Sequence, residues 1–69
     1  MPVFRVMARY GEYKFWSNGY NEDYIYDEHT DTWSLETNTP EEAKQTIQNM
    51  IESSNKRQVL SITVEEVGQ

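Results

Sequence analysis

Asp27, Glu28, His29 and Asp31 form the one cluster in this sequence that combines metal-ligating and proton-transferring side chains. A calcium loop of the EF-hand type needs oxygen ligands at alternating positions, a glycine at its sharp turn and a distal glutamate; this segment has neither that order nor that glycine. Zinc takes nitrogen and sulfur ligands, and a lone His29 in a chain without cysteine cannot supply them. Nucleophilic catalysis needs a hydroxyl held by an oriented base in a pocket closed to water. His29 stands instead among polar residues, where an enclosed triad is hard to build. Gly11, Gly19 and Gly68 are too scattered to cradle a phosphate. The expectation is no catalytic residue, no metal, no cofactor and no enzyme.

Binding explains the same stretch better. Between Tyr20 and Glu36, tyrosines and a tryptophan alternate with carboxylates, and the run from Phe15 to Ala43 holds eight acids and no lysine or arginine. Crowded carboxylates repel across distances shorter than the roughly 8 Å screening length of physiological salt, so concentrating them costs a small domain stability. Tyrosine and tryptophan bring large contact area with a polar handle, and carboxylates around them steer a protein toward basic surfaces. Tyr20, Glu22, Asp23, Tyr24, Tyr26, Asp27, Glu28, Asp31 and Trp33 are therefore the expected partner-binding residues, engaging a basic groove on another protein. A plainer account sets against this: acids on exposed strands prevent edge-to-edge aggregation, and tyrosines often half-bury in small sheets.

The totals bound what can carry such a surface. Sixty-nine residues make a single domain, 1–69, with no room for a deep cleft. A formal net charge of -6 argues against direct contact with nucleic acid, whose affinity comes largely from lysine and arginine on phosphates. The absence of cysteine removes disulfides and fits a reducing compartment. No apolar run has signal-peptide or membrane-spanning length. A soluble, cytoplasmic protein is expected, with no membrane partner.

The elements that must position the candidate residues can be taken in order. Val3 to Tyr10 alternates with period 2, putting Phe4, Val6, Ala8 and Tyr10 on one face of a first strand. Gly11-Glu12 fits a two-residue type II′ hairpin turn. That turn would set Tyr10 opposite Tyr13 and Ala8 opposite Phe15, and would gather Arg5, Arg9 and Lys14 with Met7 and Trp16 on the outer face. Asn18-Gly19 is a second turn, with Asn21-Glu22-Asp23 irregular after it. Tyr24-Ile25-Tyr26 and Thr32 to Leu35 suggest a looser hairpin around a polar tip at Asp27 to Asp31. In it Tyr24 and Tyr26 point outward together, while Ile25 and either Trp33 or Leu35 face inward.

Thr39-Pro40-Glu41-Glu42 reads as a helix start: a capping hydroxyl, proline at the first helical position, and a glutamate that completes a capping box. Ala43, Ile47, Met50 and Ile51 then form one apolar stripe. The helix should end between Ser53 and Asn55, with Lys56 and Arg57 near its negative terminus. Val59 to Val67 alternates as a final strand with Leu60, Ile62 and Val64 on one face. The expected core is Phe4, Val6, Ala8, Tyr10, Tyr13, Phe15, Ile25, Leu35, Ala43, Ile47, Met50, Ile51, Leu60, Ile62 and Val64. The fold class that follows is α+β, a small antiparallel sheet with one helix on one face.

A hairpin, one helix, a closing strand, a strongly acidic balance and no cysteine together resemble small phage early proteins, among them anti-CRISPR proteins, toxin antagonists and nuclease or glycosylase inhibitors. The resemblance spans layout and composition, without a shared motif. It implies a non-enzymatic inhibitor of a host defence or nucleic-acid enzyme, acting in the host cytoplasm. The alternative is a homo-oligomeric structural or accessory protein, a homodimer for instance, assembled through an exposed strand or the outer sheet face with Met7 and Trp16.

Overall fold

A computed structural model describes residues 1–68 as β1 (Val3–Ser17), β2 (Glu22–Glu36), α1 (Pro40–Ile51) and β3 (Arg57–Gly68). The strands form one antiparallel sheet in the order β2-β1-β3, and α1 packs on one face of it. This is the expected α+β architecture. Its proportions are unusual. Strands of 15 residues rise roughly 50 Å at about 3.3 Å per residue, and the molecule measures 54 × 16 × 15 Å. Its radius of gyration is 15.3 Å, against about 11 Å for a compact chain of this length.

Local chemistry accounts for the helix. Thr39 is extended at φ -135° and its hydroxyl accepts from the Glu42 amide at 3.2 Å, while the Glu42 carboxylate accepts from the Asn38 amide at 3.3 Å. Pro40 begins the first turn, where its missing N–H costs nothing. The stripe Ala43, Ile47 and Ile51 is buried against Phe4, Val6 and Ala8 of β1; Tyr10, Trp33, Leu35, Val59, Ile62 and Val64 pack around them. Met50, expected in that stripe, is exposed at the stripe's border. Lys56 and Arg57 lie beyond the helix end and turn toward the sheet, Arg57 to Glu12 and Lys56 to Tyr24.

Two expected turns are absent. The chain runs straight through Gly11-Glu12, so Tyr10 lies opposite His29 and Tyr13 opposite Tyr26, and Ala8 opposite Asp31. Gly11 makes room for a close approach: the Tyr26 ring lies over it, and a Cβ there would fall 2.6 Å from Tyr26 Cε2 unless the ring shifted. The second hairpin also disappears, because Asp27 to Asp31 is the middle of β2, paired residue for residue with Arg9 to Glu12 and Ala8. Those residues show no apolar alternation because the strand there is only lightly covered. Arg5, Met7 and Arg9 share the uncovered face as expected, whereas strand alternation puts Lys14 and Trp16 on the other side.

β3 alternates about its own irregularity. The register against β1 shifts between Arg9 and Tyr10, so that Val59, rather than Leu60, lies opposite Tyr10 and packs on the core. Leu60 is exposed in consequence. Three more residues expected inside are exposed for other reasons. Tyr13 and Phe15 lie on the face away from α1. Ile25 shares the helix's face but lies beyond the reach of α1, which at about 18 Å for its 12 residues covers only one end of the sheet.

Candidate partner-binding surface

Beyond the helix-covered body, β1 and β2 continue as a two-stranded arm. Pairing with β3 ends at Glu12 opposite Arg57, and the Tyr13 amide donates to the Lys56 carbonyl at 2.9 Å. From there to the turn, no third strand lies beside the ribbon. The turn closes on Asn18, whose Oδ1 accepts from the amides of Tyr20 at 2.9 Å and Asn21 at 2.7 Å. Gly19 takes φ +90°, a conformation that favours glycine. Tyr20 stands at the tip, 95% exposed.

One face of the arm is a ladder of rings. Tyr13 and Tyr26 are directly opposite with centroids 5.0 Å apart, and Phe15 and Tyr24 are opposite at 5.8 Å in an edge-to-face arrangement. Such pairs contribute about 0.5–1.5 kcal/mol beyond area burial, which helps a ribbon that would otherwise be marginal. All four rings nevertheless remain between 44% and 57% exposed. The Lys56 ammonium sits 6.0 Å from the Tyr24 ring centroid, within the range at which a cation is drawn to a π face.

The acids divide between the two faces of β2. By alternation Glu22, Tyr24, Tyr26 and Glu28 share the aromatic face, and Asp23, Asp27, Asp31 and Trp33 share the other. Besides Tyr24 and Tyr26 in their ring pairs, three of the nine candidate residues have side chains engaged within the molecule. Trp33 packs against the core, Asp31 accepts the Tyr10 hydroxyl at 2.7 Å, and Glu28 is paired with Arg9 and accepts from Tyr26 at 3.4 Å. The Asp31 hydrogen bond, with burial second, holds the Tyr10 hydroxyl above its ordinary pKa of 10.0. Glu22, Asp23 and Asp27 make no ion pair among the described residues. The structure therefore brings Glu22, Tyr24 and Tyr26 together on one accessible face, with Tyr20 exposed at the tip and Asp23 and Asp27 on the opposite face.

Tyr13 and Phe15 belong to that surface and were expected in the core. Their parity with Arg5, Met7 and Arg9 is the signal that places them outward, and it becomes visible once β1 is read as one continuous strand. Glu12 stands at the base of the arm among Arg57 Nε at 3.0 Å, His29 Nε2 at 3.7 Å and Lys14 Nζ at 3.9 Å. This cluster ties β1, β2 and β3 together where the third strand ends. His29 Nε2 is buried without a hydrogen-bond partner, and its ring lies 5.5 Å from that of Tyr10.

An open groove of about 240 Å³ runs over the uncovered face of the body between Arg5, Met7, Thr32, Thr63, Val64 and Glu65. Among the described residues there is no group of three or more histidines, cysteines or acids placed to hold a metal ion, and no helix long and apolar enough to cross a membrane. Compared with protein-family models, curated proteins and solved structures, the chain matches none of them.

Proposed function

We propose that this protein is a non-enzymatic binding module, an inhibitor or adaptor, whose arm inserts its acidic, aromatic surface into a basic site on another protein. One observation carries the reading: a two-stranded arm with no covering layer holds four half-exposed rings in a cross-strand ladder. Glu22 on the same face, and Asp23 and Asp27 on the opposite one, have no ion-pair partner among the described residues. Exposed rings concentrate binding energy, and unpaired carboxylates select the sign of the surface they meet. A basic groove that otherwise holds nucleic acid carries the opposite charge. The composition and layout favour a phage-encoded inhibitor of a host defence system, and the absence of cysteine fits a cytoplasmic setting.

Affinity capture with the arm altered in two independent ways tests this. Glu22→Lys with Asp23→Lys and Asp27→Lys removes the sign; Phe15→Ala with Tyr24→Ala removes the rings. Captured partners are expected to be basic and to be lost in both variants while the circular dichroism of the body persists. Retention of the same partners by both variants would refute the proposal.

A further inference from the structure

We infer that the outer edge of β2 is a strand-acceptor site, at which an extended lysine- or arginine-rich segment of the partner adds as a fourth strand alongside Glu22 to Asp31. This rests on the basic-partner reading and specifies how such a partner is held.

The two edges of the sheet differ. β3 meets β1 with register shifts between Val3 and Phe4 and between Arg9 and Tyr10, the kind of irregularity that blunts an edge. β2 pairs with β1 without a shift from Glu22 to Glu36, and contains no proline. Its second row of amides and carbonyls is thus presented in regular order on the open side, with the Tyr24 amide donating to Asp23 Oδ1 at 2.7 Å. The usual devices that protect such an edge are charged side chains, a proline, a bulge or a covering element. β2 has no proline and no bulge against β1, and its protection is charge of one sign: six acids, Glu22, Asp23, Asp27, Glu28, Asp31 and Glu36, with no lysine or arginine.

Those acids make the edge selective. In an antiparallel pairing of two copies centred on His29, Glu22 would lie opposite Glu36 and Asp27 opposite Asp31, and like charges directly opposite are destabilising. A cationic strand reverses the sign of every such pair. Its side chains would alternate between Glu22, Tyr24, Tyr26 and Glu28 on one face and Asp23, Asp27 and Asp31 on the other. Lys56 over Tyr24 displays the cation–π half of that recognition within the molecule itself.

The probe is a synthetic peptide of about ten residues with lysine at alternate positions, compared with the same peptide N-methylated on every second amide and with a helical peptide of equal charge. Hydrogen exchange and amide shifts of the labelled full chain are read. The extended peptide is expected to slow exchange at Glu22, Tyr26 and Glu28 by at least about tenfold, and the other two peptides are expected not to. Equal binding by all three overturns strand addition and leaves the basic-partner reading standing. Binding by none overturns it too, and the capture experiment then decides that reading separately. A second arm needs no ligand: Glu22→Gln with Asp23→Asn, Asp27→Asn and Glu36→Gln should convert the protein to edge-paired oligomers by light scattering. A variant still monomeric at millimolar concentration shows the edge to be closed and defeats the inference.

Discussion

The two halves of β1 offer a direct comparison, since both belong to one strand with one partner in one unbroken register. From Phe4 to Ala8 alternate side chains are buried under α1; from Tyr13 to Trp16 every side chain is exposed. On the helix side the first half pairs Phe4 and Val6 with Leu35 and Trp33 beneath α1; the same face of the second half pairs Lys14 with Ile25 and Trp16 with Asp23, with no third layer over them. Pairing strands satisfies the backbone in both, but it is the covering layer that turns alternation into a core. The arm is held by its hydrogen bonds and ring pairs, and the body by burial.

Mutation should separate the halves sharply. Ile51→Ala in the fully packed body is expected to cost about 2–5 kcal/mol, a large share of the stability of a domain this small. Phe15→Ala in the arm should remain under about 1.5 kcal/mol, the worth of one ring pair. Thermal and urea unfolding of both variants give the ratio, and equal losses would mean that the arm is part of the cooperative core.

Removing the helix cap comes next. Thr39→Ala should destabilise by about 0.5–2 kcal/mol, while exchange at Tyr24 and Tyr26 amides stays unchanged because the arm does not touch the helix start. The glycine beneath Tyr26 supplies a smaller effect with a sign that depends on its neighbour. With Tyr26→Ala present, Gly11→Ala should stabilise by about 0.5–1 kcal/mol through the unfolded chain. With the ring in place that gain should vanish, and a double-mutant cycle reads the difference.

The smallest effect concerns alkaline pH. The fold raises the Tyr10 hydroxyl above 10.0 through its hydrogen bond to Asp31. Its contribution is therefore fully present below pH 10 and is lost as pH rises through the higher folded value. Tyr10→Phe should show a shallower decline in stability over that alkaline range than the wild type.

Much of the fold was legible before the structure. Thr39-Pro40-Glu42 announces the helix and Asn18-Gly19 the turn, because each depends on backbone chemistry within a few residues. Tyr24 and Tyr26 on one exposed face also follow from alternation. What stayed hidden depended on distant partners. Gly11 reads as a turn unless one knows that a ring arrives from the opposite strand. Asp27 to Asp31 reads as a tip because a strand lacking a covered face carries no apolar rhythm, and the shift that exchanges Leu60 for Val59 leaves no local mark. The division of the nine candidate residues between faces, and the withdrawal of Trp33, Asp31 and Glu28 into internal contacts, required the register itself.

The end of β3 at Glu12 has a consequence for how such a molecule can change. Everything from Tyr13 to Tyr26 is a loop insertion in thermodynamic terms, because the packed layer closes without it. Joining Glu12 to Asp27 through a tight turn should leave a smaller domain that still folds, and a different ribbon spliced at the same points should be carried by the same base. If the arm binds as proposed, exchange of that single cartridge would redirect it to a new target with the foundation left untouched.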